Sequence, residues 1–122
     1  MRRALLLIAH GSRQPEANAD LHFFAEELRR RGAYDFVLAS YLELAEPSIE
    51  QGVATCVEQG AERIVLLPFF LSSGVHVQRD LAAARDRLAN QFAHIDIRLA
   101  EPLGRHALLL TIVEERAQAA EQ

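Results

Sequence analysis

A chain of 122 residues, half of them hydrophobic and a quarter charged, has the make-up of one ordinary globular domain, residues 1–122, with little room for a second. Its formal net charge of −4 argues against a nucleic-acid partner, and no apolar run approaches the roughly 18 residues of a membrane span. The lone cysteine, Cys56, excludes an internal disulfide and fits a reducing cytoplasm. Met1-Arg2-Arg3 ahead of apolar residues 4–9 resembles a signal peptide only superficially, because the run is short and no small-x-small cleavage site follows.

Residues 4–9 read as a first strand, apolar without alternation, as a strand covered on both faces should be. After a turn containing Gly11, Ser12 and Pro15, residues 16–31 predict a helix with Leu21, Phe24 and Leu28 as its inner stripe and Gly32 as its C-cap. Residues 35–41 give a second strand. Pro47 suits the first position of the next helix, whose stripe is Ile49, Val53 and Val57 and which ends at Gly60. Residues 63–69 are the clearest strand, stopped by Pro68. A helix to about residue 90 follows, carrying Leu81, Ala84 and Leu88 on one face. Residues 95–99 form a more alternating, edge-like fourth strand, and the chain is helical from about residue 105 with a frayed end. Strict alternation with short connections predicts an α/β, flavodoxin-like domain: a four-stranded parallel sheet with helices on both faces.

In such sheets ligands bind outside the carboxyl ends of the strands. Each strand of this chain ends on an ionisable residue there: His10 after the first, Glu43 and Glu46 after the second, His76 after the third, Glu101 after the fourth. Imidazoles with one or two carboxylates form a borderline ligand set suited to iron, cobalt, nickel or zinc. Glu46 and Glu101 precede prolines and read more simply as solvated carboxylates. His22 and His94 read as surface residues, His106 lies near the site edge, and Cys56 belongs with the core residues of its helix. Arg13, Arg79 and Arg105 bring positive charge to the same edge, and Phe69-Phe70-Leu71 offers an apolar wall for a flat ligand or a subunit interface.

Four motifs stand in order along nearly the whole chain: Ala9-His10-Gly11-Ser12-Arg13, Tyr41-Leu42-Glu43 with Glu46-Pro47-Ser48-Ile49, residues 68–77 with Asp80, and Glu101-Pro102-Leu103-Gly104-Arg105-His106. Together they resemble the small CbiX-type sirohydrochlorin chelatases, the class II tetrapyrrole chelatases. The resemblance implies that His10 and His76 bind the metal and act in its insertion, with Glu43 assisting. It places Ser12, Arg13, Phe70, Ser73 and Gly74 as candidates for contact with the macrocycle. It also implies Co²⁺, Fe²⁺ or Ni²⁺ as a substrate rather than a tightly bound cofactor, sirohydrochlorin as the acceptor on a path to siroheme or cobalamin, and no need for ATP. Longer members carry two such domains facing one cleft, so a single domain implies a homodimer. Two other readings share these residues: a non-catalytic metal or tetrapyrrole carrier, and a histidine phosphatase with His10 as nucleophile and Arg13 holding phosphate. The latter usually shows Arg-His-Gly, where this chain has Ala9 before His10.

Overall fold

Apolar side chains on both faces of the first strand decide the architecture. In the computed structural model, which describes residues 1–72 and 74–122, Ala4 to Ile8 are all buried. The elements run β1 (Arg3–Ala9), α1 (Pro15–Arg31), β2 (Phe36–Tyr41), α2 (Ile49–Glu58), β3 (Arg63–Pro68), α3 (Val75–Gln91), β4 (Asp96–Leu99) and α4 (Leu108–Glu121). The sheet is wholly parallel in the order β2-β1-β3-β4, with Leu6 opposite Leu38 on one side and Leu66 on the other. The predicted four-stranded parallel α/β fold is therefore present.

Alternation along the strands divides the core in two. Ala4, Leu6, Ile8, Ile64 and Leu66 face α2 and α3, where Val53, Cys56, Leu81 and Leu88 meet them. Leu5, Leu7, Val37 and Ala39 face α1, which supplies Leu21 and Ala25. Sheet faces are thus covered by α2 and α3 on one side and by α1 on the other, while α4 buries none of its residues.

Several boundaries differ from the sequence expectation for identifiable reasons. The helix after β2 starts at Ile49 rather than Pro47, because Ser48 caps it: its hydroxyl accepts from the Gln51 N–H at 3.2 Å, and the Gln51 side chain accepts from the Ser48 N–H at 2.8 Å. β3 stops at Pro68 as expected, one residue short of the anticipated end, with Pro68 paired to Ile8 as its last residue. The inward stripe of α1 is Leu21, Ala25 and half-buried Leu28, leaving Phe24 exposed. The last helix begins at Leu108, after Arg105 adopts a left-handed φ of 66°, and it remains helical to Glu121 instead of fraying.

At the β4 edge Asp96 accepts from Arg63 at 2.9 Å and from Arg98 at 3.1 Å. Hydrogen bonds from Arg98 and then Arg63 hold its carboxyl below the ordinary carboxylate range. The folded state favours the charged form, so this contribution is present above the unfolded value of about 3.9 and is lost as pH falls through the lower folded value. The difference in melting midpoint between wild type and Asp96→Asn is expected to be widest above about pH 4 and to close in more acid solution; a gap independent of pH would contradict this account. Leu6→Ala, which opens a void in the middle of the sheet, is expected to lower the unfolding free energy by about 2–5 kcal/mol in urea titrations.

Candidate metal centre

The β1–β2 ladder does not stop where the strands stop. Leu42 N–H donates to the Ala9 carbonyl at 2.9 Å, and Glu43 N–H donates to the His10 carbonyl at 3.0 Å. The two turns that leave these strands are therefore tied at the residues bearing the imidazole and the carboxylate. Their closeness requires glycine at position 11: φ is 95°, and a Cβ there would lie 1.8 Å from the Glu43 carbonyl oxygen. His10 rests on Phe70, with ring centroids 4.4 Å apart and planes inclined by 32°.

His10 and Glu43 line a cavity of about 470 Å³ with Tyr41, Glu50, Asp80 and Arg87 among its other walls. Glu50 comes from the first turn of α2, while Asp80 and Arg87 come from α3. Arg87 donates to Glu50 at 2.6 Å, an ion pair that joins the two helices beside the cavity. Burial raises the Tyr41 pKa, and its hydroxyl donates to the Asn18 carbonyl at 3.0 Å, so it remains a neutral phenol. The cavity thus offers one imidazole and several exposed carboxylates over an apolar floor of Leu42, Ile49 and Leu81. Such N and O donors suit borderline divalent metals.

Other sequence candidates are distributed differently. His76 stands in the first turn of α3 and is exposed at the same sheet edge, but its neighbours Val77 and Asp80, not His76, line the cavity. Among the described residues no three His, Cys, Asp or Glu side chains converge as a metal-holding group. Ser12 and Arg13 line a separate hollow with Asn18, His22 and Glu46. The Ser12 hydroxyl accepts from the Gln14 N–H, and its backbone is held at both N–H and carbonyl by Asn18. Arg13 lines that hollow and is not among the residues lining the cavity of His10. Phe70 is buried beneath His10 and so backs the imidazole instead of forming an open wall, which leaves Leu71 as the exposed apolar residue of that loop. Gly74 caps α3 with open space around it, and Ser73 lies outside the described residues. Arg79 is exposed and is not a cavity residue. The His106 ring accepts from the Leu108 N–H at 3.1 Å at the entry to α4. Cys56 is fully buried with its pKa pushed up to about 11, as a core thiol should be.

Glu50 and Arg87 escaped the sequence reading because both sit on helices, away from the strand ends. Asp80 carries a usable signal: it is four residues after His76 on α3 and so shares its face.

A family model described as CbiX matches residues 4–120. The chain is 39% identical over 114 residues to the chloroplastic sirohydrochlorin ferrochelatase of Arabidopsis thaliana, covering 93% of this chain and 51% of that protein. It is 33% identical over 116 residues to the sirohydrochlorin cobaltochelatase of Sulfolobus acidocaldarius, covering 95% of this chain and 90% of that one. The chain thus spans about half the length of the first of these relatives and most of the second. Among solved structures it is similar to the sirohydrochlorin chelatase SirB of Bacillus subtilis subspecies spizizenii in complex with cobalt, with a TM-score of 0.88 at 31% identity over 98% of this chain and 51% of that one. It is also similar to a cobalamin (vitamin B12) biosynthesis CbiX protein of Marinobacter aquaeolei VT8, with a TM-score of 0.84 at 30% identity over 97% of this chain and 96% of that one.

Gly11→Ala drives a methyl into the Glu43 carbonyl and forces a left-handed φ on an L-residue. It is expected to lower stability by roughly 1–3 kcal/mol from backbone strain alone, measured by denaturant unfolding. A variant as stable as wild type would show that the two turns are not held together as described.

Proposed function

The chain belongs to the CbiX family, and from that premise we propose that it inserts a divalent metal, Co²⁺ or Fe²⁺, into sirohydrochlorin without ATP. The observation that carries the reading is the backbone tie that sets His10 and Glu43 side by side at one cavity. Relatives named as sirohydrochlorin ferrochelatase and cobaltochelatase, and a SirB structure with cobalt, support the choice of substrates. Ni²⁺ suits the same donors.

A metal that is a substrate must be bound, held briefly and released, so an incomplete ligand set serves better than a closed cage. His10 and His76 act as metal ligands at the sheet edge, and Glu43 supplies a carboxylate beside His10. Insertion of M²⁺ into the free macrocycle releases two N–H protons. A neutral imidazole or the Glu43 carboxylate accepts them, and both face solvent, which removes them. Phe70 stacks under His10 and restricts the imidazole to one side of its turn. Ser12, Arg13, Ser73 and Gly74 stand in the turns around this edge and are assigned to macrocycle contact, with Arg13 as a cation for a peripheral carboxylate.

One domain supplies one wall of a cleft, and a second copy of the chain supplies the other. Among the described residues no helix is long and apolar enough to cross a membrane. The buried free thiol of Cys56 supports assignment to a reducing compartment, the cytoplasm.

Purified protein is expected to accelerate Co²⁺ or Fe²⁺ insertion into sirohydrochlorin, followed by the change in its visible spectrum; a rate equal to that of the free metal would refute the reading. His10→Ala and His76→Ala are each expected to lose roughly 100-fold or more in rate while retaining the far-ultraviolet dichroism of the wild type. Glu43→Gln is expected to lose rate with little change in fold.

A further inference from the structure

The cavity at the strand ends holds a charge that its carboxylates alone do not explain. Among the described residues, Arg87 is the one permanent cation lining it, against the carboxylates of Glu43, Glu50 and Asp80. Three carboxylates attract a divalent metal, but they repel a macrocycle that is itself acidic. Arg87 is the group in this cavity with charge to offer such a ring.

Its reach follows from helix geometry. Arg87 belongs to α3 and lies about three turns, roughly 16 Å, beyond His76. A long side chain on a helix points back toward the helix N-terminus, which for α3 is the strand-end edge of the sheet. The guanidinium therefore returns toward that edge, where Nη2 donates to Glu50 Oε1 at 2.6 Å in the first turn of α2.

This ion pair is poorly built as a brace and well built for exchange. The side chains of Arg87 and Glu50 are 58% and 51% exposed, and the contact is single, from Nη2 to one carboxylate oxygen. Among the described residues Arg87 makes no other hydrogen bond, so the remaining N–H groups of its fork are unfilled. The helices are already held on the sheet by Val53, Cys56, Leu81 and Leu88 within one apolar cluster. An exposed ion pair adds little net stability, so replacing Glu50 by another carboxylate is nearly neutral, and the freed Glu50 rehydrates.

Resting on the metal-insertion reading above, we infer that Arg87 binds the macrocycle, exchanging Glu50 for a peripheral carboxylate of the ring. Glu50 is the positioning residue: it holds the fork at the cavity between turnovers and competes for it when the product leaves. Arg13 stands in the hollow on the α1 side of the sheet, and Arg87 stands on the α2–α3 side. His10, at the end of the interior strand β1, lies between these two cations. A ring held by carboxylates at both has its central nitrogens over the imidazole, and planar forks suit carboxylates better than point charges do.

The test titrates metal-free sirohydrochlorin into the full chain, followed by its visible spectrum, and then measures insertion of Co²⁺. Arg87→Ala is expected to weaken binding of the ring roughly tenfold, as loss of a charge-assisted hydrogen bond should. KM for sirohydrochlorin rises by a similar factor, while kcat and KM for Co²⁺ stay within about twofold because the metal ligands are untouched. Glu50→Gln removes the competitor and is expected to tighten binding about threefold. Arg87→Lys keeps the charge without the fork and recovers part of the loss. Arg79→Ala removes an equal charge from the same helix outside the cavity and is expected to weaken binding by less than about twofold. Weaker binding in both Arg87→Ala and Glu50→Gln would mark the pair as a brace and overturn the inference, as would equal losses from Arg87→Ala and Arg79→Ala. A wild type that inserts metal, beside an Arg87→Ala variant indistinguishable from it, overturns this inference and leaves the function standing. A wild type no faster than free metal overturns both.

Discussion

The tie between the turns after β1 and β2 is the constraint on which the rest of the site depends. Two backbone hydrogen bonds carry the sheet ladder one step past its last paired residues, to His10 and Glu43. That extension is sterically available only because position 11 has no Cβ. An imidazole and a carboxylate are thereby placed together by main-chain atoms, whose geometry is set by a buried parallel sheet, and not by flexible side-chain contacts. Precision of this kind comes cheaply to a strand end, because the entropy of ordering the backbone has already been lost in forming the sheet.

What the site does with that precision follows from what it leaves open. Glu43, Glu50 and Asp80 face the cavity as exposed carboxylates, and Glu50 is engaged by Arg87 across the α2–α3 junction. His76 stands at the same edge without entering the cavity. A resident metal cofactor is served by a closed, satisfied shell with oriented partners. A transferred metal is served by few ligands, solvent access and room for a second ligand to take over. Under the proposed function, the open cavity of His10 and Glu43 corresponds to the second case, with a flat macrocycle supplying four nitrogens as the receiver.

Much of the fold was legible in the sequence, for a plain reason. Residues 4–9 and 63–69 are apolar without alternation, and only a doubly covered strand asks for that pattern. With two such strands, short connections and the rule for ligands at strand ends, His10 and Glu43 could be placed together before any coordinates. The misses are physical as well. Phe24 sits at the helical spacing of an inner residue, but Ala25 takes the buried position, and spacing alone does not fix rotation by one residue. Pro47 fits a first helical turn, yet Ser48 makes the better cap. Glu50 and Arg87 reach the cavity through the packing of α2 against α3, a long-range fact without a local pattern. Ser12 looks available in a Gly-Ser turn but is engaged by Gln14 and Asn18.

The loop after β3 links the root of α4 to the candidate metal site. Its Phe70 ring supports the His10 imidazole, its Phe70 carbonyl accepts from Leu103, and its Leu71 carbonyl abuts Gly104 at the root of α4. The root of α4 is therefore in direct backbone contact with the loop that carries the residue backing the imidazole. His76 sits just beyond that loop, in the first turn of α3. The loop after β3 therefore bears on both histidines: it backs His10 from beneath and leads directly into the turn that carries His76.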